Sequence, residues 1–122
     1  MKALWLPFEV TDLDAALAFY VDRLGLVRTD GWTRDGERGA VLRAAGASYV
    51  ELVQPARLGA PNGSVPLAFE LVGRGEVDAM FARLAPSTGE LTSPPHHYPR
   101  GHYGFTLRAP AGAEVMLWSE AE

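Results

Sequence analysis

The stretch VTDLDAALAFYVDRLGL, residues 10–26, decides the fold. Leu13, Ala16, Leu17, Tyr20 and Leu24 recur at helical spacing and form one stripe of an amphipathic helix. Thr11 or Asp12 can cap its start, because a short side-chain oxygen accepts from the orphan amides of a first turn. Gly25 can end it, because glycine enters a left-handed conformation without a steric cost. Upstream, LWLPFEV (4–10) is a short β-like run. Downstream, three β-like runs fall at about 26–29, 38–44 and 48–53, with the turn signals DG and AAGA between them. The order is β-α-β-β-β.

The same order recurs. PARLGAPNGSVP (55–66) carries three prolines and two glycines and reads as a connector. Beyond it, PLAFELV is β-like, and GEVDAMFARLA places Val77, Met80, Phe81 and Leu84 on one helical stripe. A proline-rich stretch follows, then HYGFTLRA and AEVMLWS, two strand candidates separated by PAG. LPFEV at 6–10 aligns with LAFEL at 67–71, an offset of 61, and YVELV at 49–53 aligns with EVMLW at 114–118, an offset of 65. The four extra residues are expected in the loop before the histidines. An internal repeat is a stronger statement than any single strand assignment. The chain divides into module one (1–54), the connector (55–66) and module two (67–122), together one α+β domain.

Composition narrows the function. The chain has 122 residues, 48% hydrophobic and 21% charged, within the ordinary range for a globular domain. The formal charge is −4 and no basic cluster appears, which argues against nucleic acid as partner. There is no cysteine, so disulfides, thiolate metal sites and cysteine nucleophiles are excluded. No secretory signal or membrane-spanning run is legible, so a cytoplasmic location is expected.

VTDLDAALAFYVDRLGL, YVELV and RGHYGFTLRAPAGAEVML (100–117), taken with the repeat, resemble the vicinal oxygen chelate superfamily. That group includes glyoxalases, extradiol dioxygenases, fosfomycin-modifying enzymes and bleomycin-resistance binding proteins. The resemblance implies two βαβββ modules forming a cupped, partly open barrel, a ligand in the cup, and a homodimer. It also implies four metal-ligand positions, on the first and last strands of each module. Here they carry Trp5, Glu51, Pro66 and Met116. The family's Asp-Pro-Asp-Gly turn is altered to Ala109-Pro110-Ala111-Gly112.

One carboxylate does not hold a divalent cation, since catalytic sites need about three protein ligands. No metal and no cofactor are therefore expected. The three histidines, His96, His97 and His102, lie outside the implied positions. His96 and His97 are adjacent and point to opposite faces of an extended chain. Prolines 94, 95 and 99 disfavour a helical metal-binding pair. A site from His102, His97 and Glu51 is a weaker alternative.

On the resemblance, the ligand positions point into the cup, and so do their neighbours two residues away. Trp5, Pro7, Glu9, Tyr49, Glu51, Ala68, Glu70, Met116 and Trp118 are thus candidate ligand-binding residues. Trp32, after a DG turn, is a candidate rim residue, and His102 and Tyr103 are candidates from the segment after the prolines. Residues 93–101 could form a lid or an ordinary surface loop. The opposite face, with Leu6, Phe8, Val50, Leu52, Phe69, Leu71, Val115 and Leu117, is apolar and suits packing under helices. Trp5 and Trp118 could instead fill a core or dimer seam, and Glu9 and Glu70 could pair with Arg43 or Arg108.

An aromatic and acidic cup suits a planar or bulky organic molecule, cations included. The favoured reading is a metal-free binding protein that sequesters an aromatic natural product or antibiotic. The alternative is a metal-independent enzyme with Glu51 or Glu9 as base and His102 or Tyr103 as acid. A metal-dependent lyase or dioxygenase is disfavoured by the altered ligand positions.

Overall fold

The computed structural model describes residues 2–57, 66–99 and 101–120. The chain divides into two compact units, Met1–Gly63 and Ser64–Glu122. Residues 58–65 of the connector and Arg100 lie outside the described residues.

Unit one holds β1 (Leu4–Glu9), α1 (Leu13–Leu17), β2 (Val27–Arg34), β3 (Glu37–Ala45) and β4 (Ser48–Gln54). Its sheet has the order β1-β4-β3-β2, with β1 parallel to β4 and the other pairs antiparallel. Asp12 is the cap of α1, its carboxylate accepting from the Ala15 amide at 3.0 Å. The helix continues as a wider π-helical stretch, Ala18–Arg23, and Gly25 closes it at φ 92°. The wider winding lets the adjacent Phe19 and Tyr20 both point inward, so both are buried. They meet edge to face with centroids 5.0 Å apart. Leu13, Ala16, Tyr20 and Leu24 of the expected stripe are buried against the sheet face that carries Phe8, Ala40, Leu42, Val50 and Leu52.

Unit two repeats the order with β5 (Pro66–Glu70), α2 (Arg74–Leu84), β6 (Leu91–His97), β7 (Tyr103–Arg108) and β8 (Glu114–Ser119). Its sheet, β5-β8-β7-β6, has the same connectivity and strand directions. Neither sheet closes on itself. Val77 and Leu84 of α2 are buried with Leu67, Phe105, Leu107, Val115 and Leu117. The connections 85–90, 98–102 and 109–113 are each longer than their counterparts in unit one, so the extra residues are not confined to the loop before the histidines.

Two strands differ from the sequence expectation. β2 runs to Arg34 and does not stop at 29, because Asp30-Gly31 is a bulge within the strand. The Asp30 carboxylate accepts from the Gly31 amide at 2.8 Å, and the hairpin turns at the second Asp-Gly pair. Asp35 (φ 53°) and Gly36 (φ 83°) supply the two positive angles that a tight two-residue hairpin requires. The proline-rich stretch 93–97 is an edge strand, β6, where a loop or lid was expected. Its ladder slips between Ser93 and His96, so Pro94 and Pro95 fall where no backbone donor is required.

Candidate functional site

Each sheet covers its own helix with one face and leaves the other face helix-free. Residues paired across neighbouring strands share a face, so the register fixes what the helix-free face carries. In module one there are three rows across β1, β4, β3 and β2. They are Trp5, Tyr49, Arg43 and Val27; then Pro7, Glu51, Val41 and Asp30; then Glu9, Val53, Gly39 and Trp32. In module two the rows are Ala68, Met116, Thr106 and Ser93, then Glu70, Trp118, Gly104 and His96.

On module one, Trp5 and Tyr49 stack with centroids 4.6 Å apart and planes 25° apart. Trp5 keeps 49% of its surface exposed, so the stack is an accessible platform. Glu51 lies half-buried in the next row. Four carboxylates (Glu9, Asp30, Glu37, Glu51) share this face with two guanidinium groups, Arg34 and Arg43, a negative balance that favours cations over anions. Trp32 belongs to β2 on the same face and does not follow a turn. Its ring lies over Gly39 and its indole N–H donates to Glu37 Oε2 at 3.0 Å.

On module two, Met116 and Trp118 are half-buried while Ala68 and Glu70 are exposed. His102 meets Trp118 edge-on, with centroids 5.5 Å apart and planes at 81°. Tyr98 lies flat on His102, with centroids 4.5 Å apart and planes 3° apart, and His96 leans over Tyr98 at 4.2 Å. His96 was not among the expected site residues, and Tyr98 was expected only as part of a lid or a surface loop. Reading 93–101 as a loop hid the alternation that puts His96 beside Gly104.

Tyr103 is a correction. It pairs with Ser119 and lies on the helix side, buried, with its hydroxyl donating to Asp78 Oδ1 at 2.7 Å. The Arg74 guanidinium sits 4.5 Å from its ring centroid. The hydrogen bond to Asp78, followed by burial, raises its pKa. The signal was present: Tyr103, Phe105 and Leu107 are in phase, and the last two are apolar. His97 is on this side too, 5.1 Å from the Tyr103 ring, with Nε2 3.4 Å from Arg74. His97 and His102 therefore do not converge, and the alternative metal set with Glu51 does not assemble from them.

A family model for the glyoxalase/bleomycin resistance protein/dioxygenase superfamily matches residues 5–117. The chain belongs to this superfamily. CFP32 of Mycobacterium bovis, which carries a glyoxylase name, is 27% identical over 115 residues, 93% of this chain and 44% of that protein. The chain thus spans less than half the length of that curated relative. A glyoxalase/bleomycin resistance protein/dioxygenase from Nocardioides superposes with a TM-score of 0.74 at 25% identity, covering 100% of this chain and 85% of that one. A lactoylglutathione lyase from Agrobacterium tumefaciens gives a TM-score of 0.74 at 26% identity, covering 95% and 91%.

The four metal-ligand positions that the family resemblance implies carry Trp5, Glu51, Pro66 and Met116 here. An indole, a pyrrolidine and a thioether are no substitute for imidazole and carboxylate toward a hard or borderline divalent cation. Among the described residues, no group of three or more histidine, aspartate or glutamate side chains is arranged to hold a metal ion. The donor set does not fit the group. Among those residues, too, no helix is long and apolar enough to cross a membrane.

Proposed function

We propose that this chain binds a planar aromatic molecule, cations included, on the helix-free sheet faces, and sequesters it without a metal. The observation that carries the reading is the Trp5–Tyr49 stack, half-exposed and one row from Glu51. An exposed stacked pair offers a π surface to a flat ligand, and a nearby carboxylate adds attraction for a positive charge. The altered donor set supports binding over metal-assisted lyase chemistry, even though one structural relative is named a lactoylglutathione lyase. The acid–base alternative loses Tyr103 as its acid, because that hydroxyl already donates to Asp78 on the helix side.

The test uses N-methylquinolinium, a flat cation, and quinoline, its neutral counterpart, with intrinsic tryptophan fluorescence as readout. Saturable quenching by the cation that is weakened by Trp5→Ala supports the reading. Quenching that is linear in concentration and indifferent to Trp5→Ala rejects it.

A further inference from the structure

The first row of module one runs Trp5, Tyr49, Arg43 and Val27, and Glu51 stands in the next row on the same strand as Tyr49. Trp5 and Tyr49 stack, so both side chains stand on one side of the sheet, and the register puts Arg43 and Glu51 there with them. Arg43 is exposed and Glu51 is half-buried. Arg43 lies directly opposite Tyr49, so Glu51, two residues further along β4, is its diagonal neighbour. Diagonal neighbours of an antiparallel pair lie about 7–8 Å apart, within reach of a long side chain. An arginine and a glutamate so placed have the length to meet.

The two charges stay apart. Among the described residues, neither the Arg43 nor the Glu51 side chain forms an ion pair or a hydrogen bond. Other charged groups of the same hairpin are engaged: Arg38, on the helix side of β3, holds Asp14 at 2.9 Å, and Glu37 accepts from the Trp32 indole. Glu51 is flanked in its row by Pro7 and Val41, whose side chains have no donor. Arg43 is flanked in its row by Tyr49 and Val27, which carry no charge. Both groups border the Tyr49 ring, Arg43 across the strand pair and Glu51 along β4. A flat molecule against that ring therefore meets a positive group and a negative group at two of its edges.

We propose that the ligand of module one is zwitterionic, a flat and positively charged nitrogen heterocycle that carries a carboxylate. Its ring lies against Tyr49, its positive edge faces Glu51, and its carboxylate takes the Arg43 guanidinium. A guanidinium matches a carboxylate in a two-pronged, charge-assisted pair, which makes Arg43 the specificity-determining residue. Arg34, the other guanidinium of this face, sits at the hairpin end of β2 opposite Glu37, away from the stack. The inference rests on the reading that this face binds flat cations, and it narrows that class.

The experiment titrates the whole chain with N-methylquinolinium and with its 3-, 4-, 6- and 7-carboxylate derivatives, reading the Trp5 indole N–H by NMR. The face carries four carboxylates against two guanidinium groups, so loss of net positive charge by itself would weaken every derivative. At least one derivative is expected instead to bind about tenfold more tightly than the parent, the gain of one charge-assisted pair. In Arg43→Gln that gain disappears while the parent binds at least as tightly as before. In Arg43→Lys, which keeps the charge, and in Arg34→Gln, which removes the other guanidinium, the derivative still exceeds the parent. The proposal is overturned if no derivative exceeds the parent, if the gain survives in Arg43→Gln, if that variant weakens the parent too, or if Arg43→Lys or Arg34→Gln abolishes the gain. A parent that binds while no derivative exceeds it sinks the proposal alone. A parent that does not shift Trp5 at all sinks the reading of this face, and the proposal with it.

Discussion

The ring of Trp32 occupies the space over Gly39 that a β-carbon would fill. The two residues are directly paired across β2 and β3, so the indole lies flat on the neighbouring strand and is not directed away from the sheet. Gly39→Ala is expected to force the indole off its strand and break its bond to Glu37. Overpacking of this kind costs about 1–3 kcal/mol. Urea unfolding measures the loss, and a red-shifted tryptophan emission reports the displaced ring. Unchanged stability and emission would show that the ring does not rest there.

Trp118→Ala should weaken N-methylquinolinium binding to module two by about tenfold to a hundredfold, because one stacking surface is worth about 1–3 kcal/mol. The control is Leu52→Met on the buried side of β4, which should alter melting temperature more than affinity. Equal affinity in Trp118→Ala and the original protein would move the binding surface elsewhere.

Glu51→Gln keeps shape and removes charge. It should weaken the quinolinium cation on module one and spare neutral quinoline, measured by Trp5 quenching. Equal loss for both would identify Glu51 as a hydrogen-bond acceptor rather than a charge partner.

Tyr20 is fully buried, and its hydroxyl has no partner among the described residues. Burial pushes its pKa well above the usual tyrosine value of 10.0. The folded protein therefore holds this proton while the unfolded chain releases it, so stability falls as pH rises above about 10. Tyr103, raised by its bond to Asp78, acts in the same direction. Tyr20→Phe should remove the unpaired hydroxyl, raise stability at neutral pH by about 1–3 kcal/mol, and flatten the alkaline loss. Thermal melts at pH 7 and in steps above pH 10 separate the two effects. A variant that melts lower at pH 7 would mean the hydroxyl is paired in solution.

The edge strands β1 and β2 expose Leu4 (72%) and Val27 (50%), and among the described residues neither sheet closes its edges. Exposed edges with apolar side chains favour pairing between chains. A dimer mass is expected in light scattering, with Leu4→Lys shifting it toward the monomer. A monomer mass across a wide concentration range would reject this.

Much of the architecture was legible because its signals are local and repeated. Asp12, Gly25 and the Leu13–Leu24 stripe mark α1, and the 61- and 65-residue offsets expose the duplicated module. Alternation on β4 and β8 sorted Glu51 and Trp118 from Leu52 and Leu117 correctly. Where the reading failed, two signals competed. Two Asp-Gly pairs lie five residues apart, and only the backbone angles show that 35–36 turns while 30–31 bulges. Pro94 and Pro95 argue against a strand, yet an edge with a slipped ladder tolerates them, and that error concealed His96 and Tyr98. Tyr103 was grouped with the loop before it, although its phase with Phe105 assigns it to the helix side. The stacking of Tyr98 on His102 depends on a closed turn that no local pattern encodes.

The alternation along β8 has a consequence for how such a protein changes over generations. Val115, Leu117 and Ser119 are buried on one side, while Glu114, Met116 and Trp118 face the other. Side chains that hold the sheet to its helix and side chains that meet the outside world are thus separate heritable sets on one six-residue strand. Substitutions in one set meet different side-chain neighbours from substitutions in the other, because successive side chains point to opposite faces of the sheet. Selection can therefore rewrite Glu114, Met116 and Trp118 toward a new molecule while Val115 and Leu117 preserve foldability, and the duplicated module offers the same freedom again on β4.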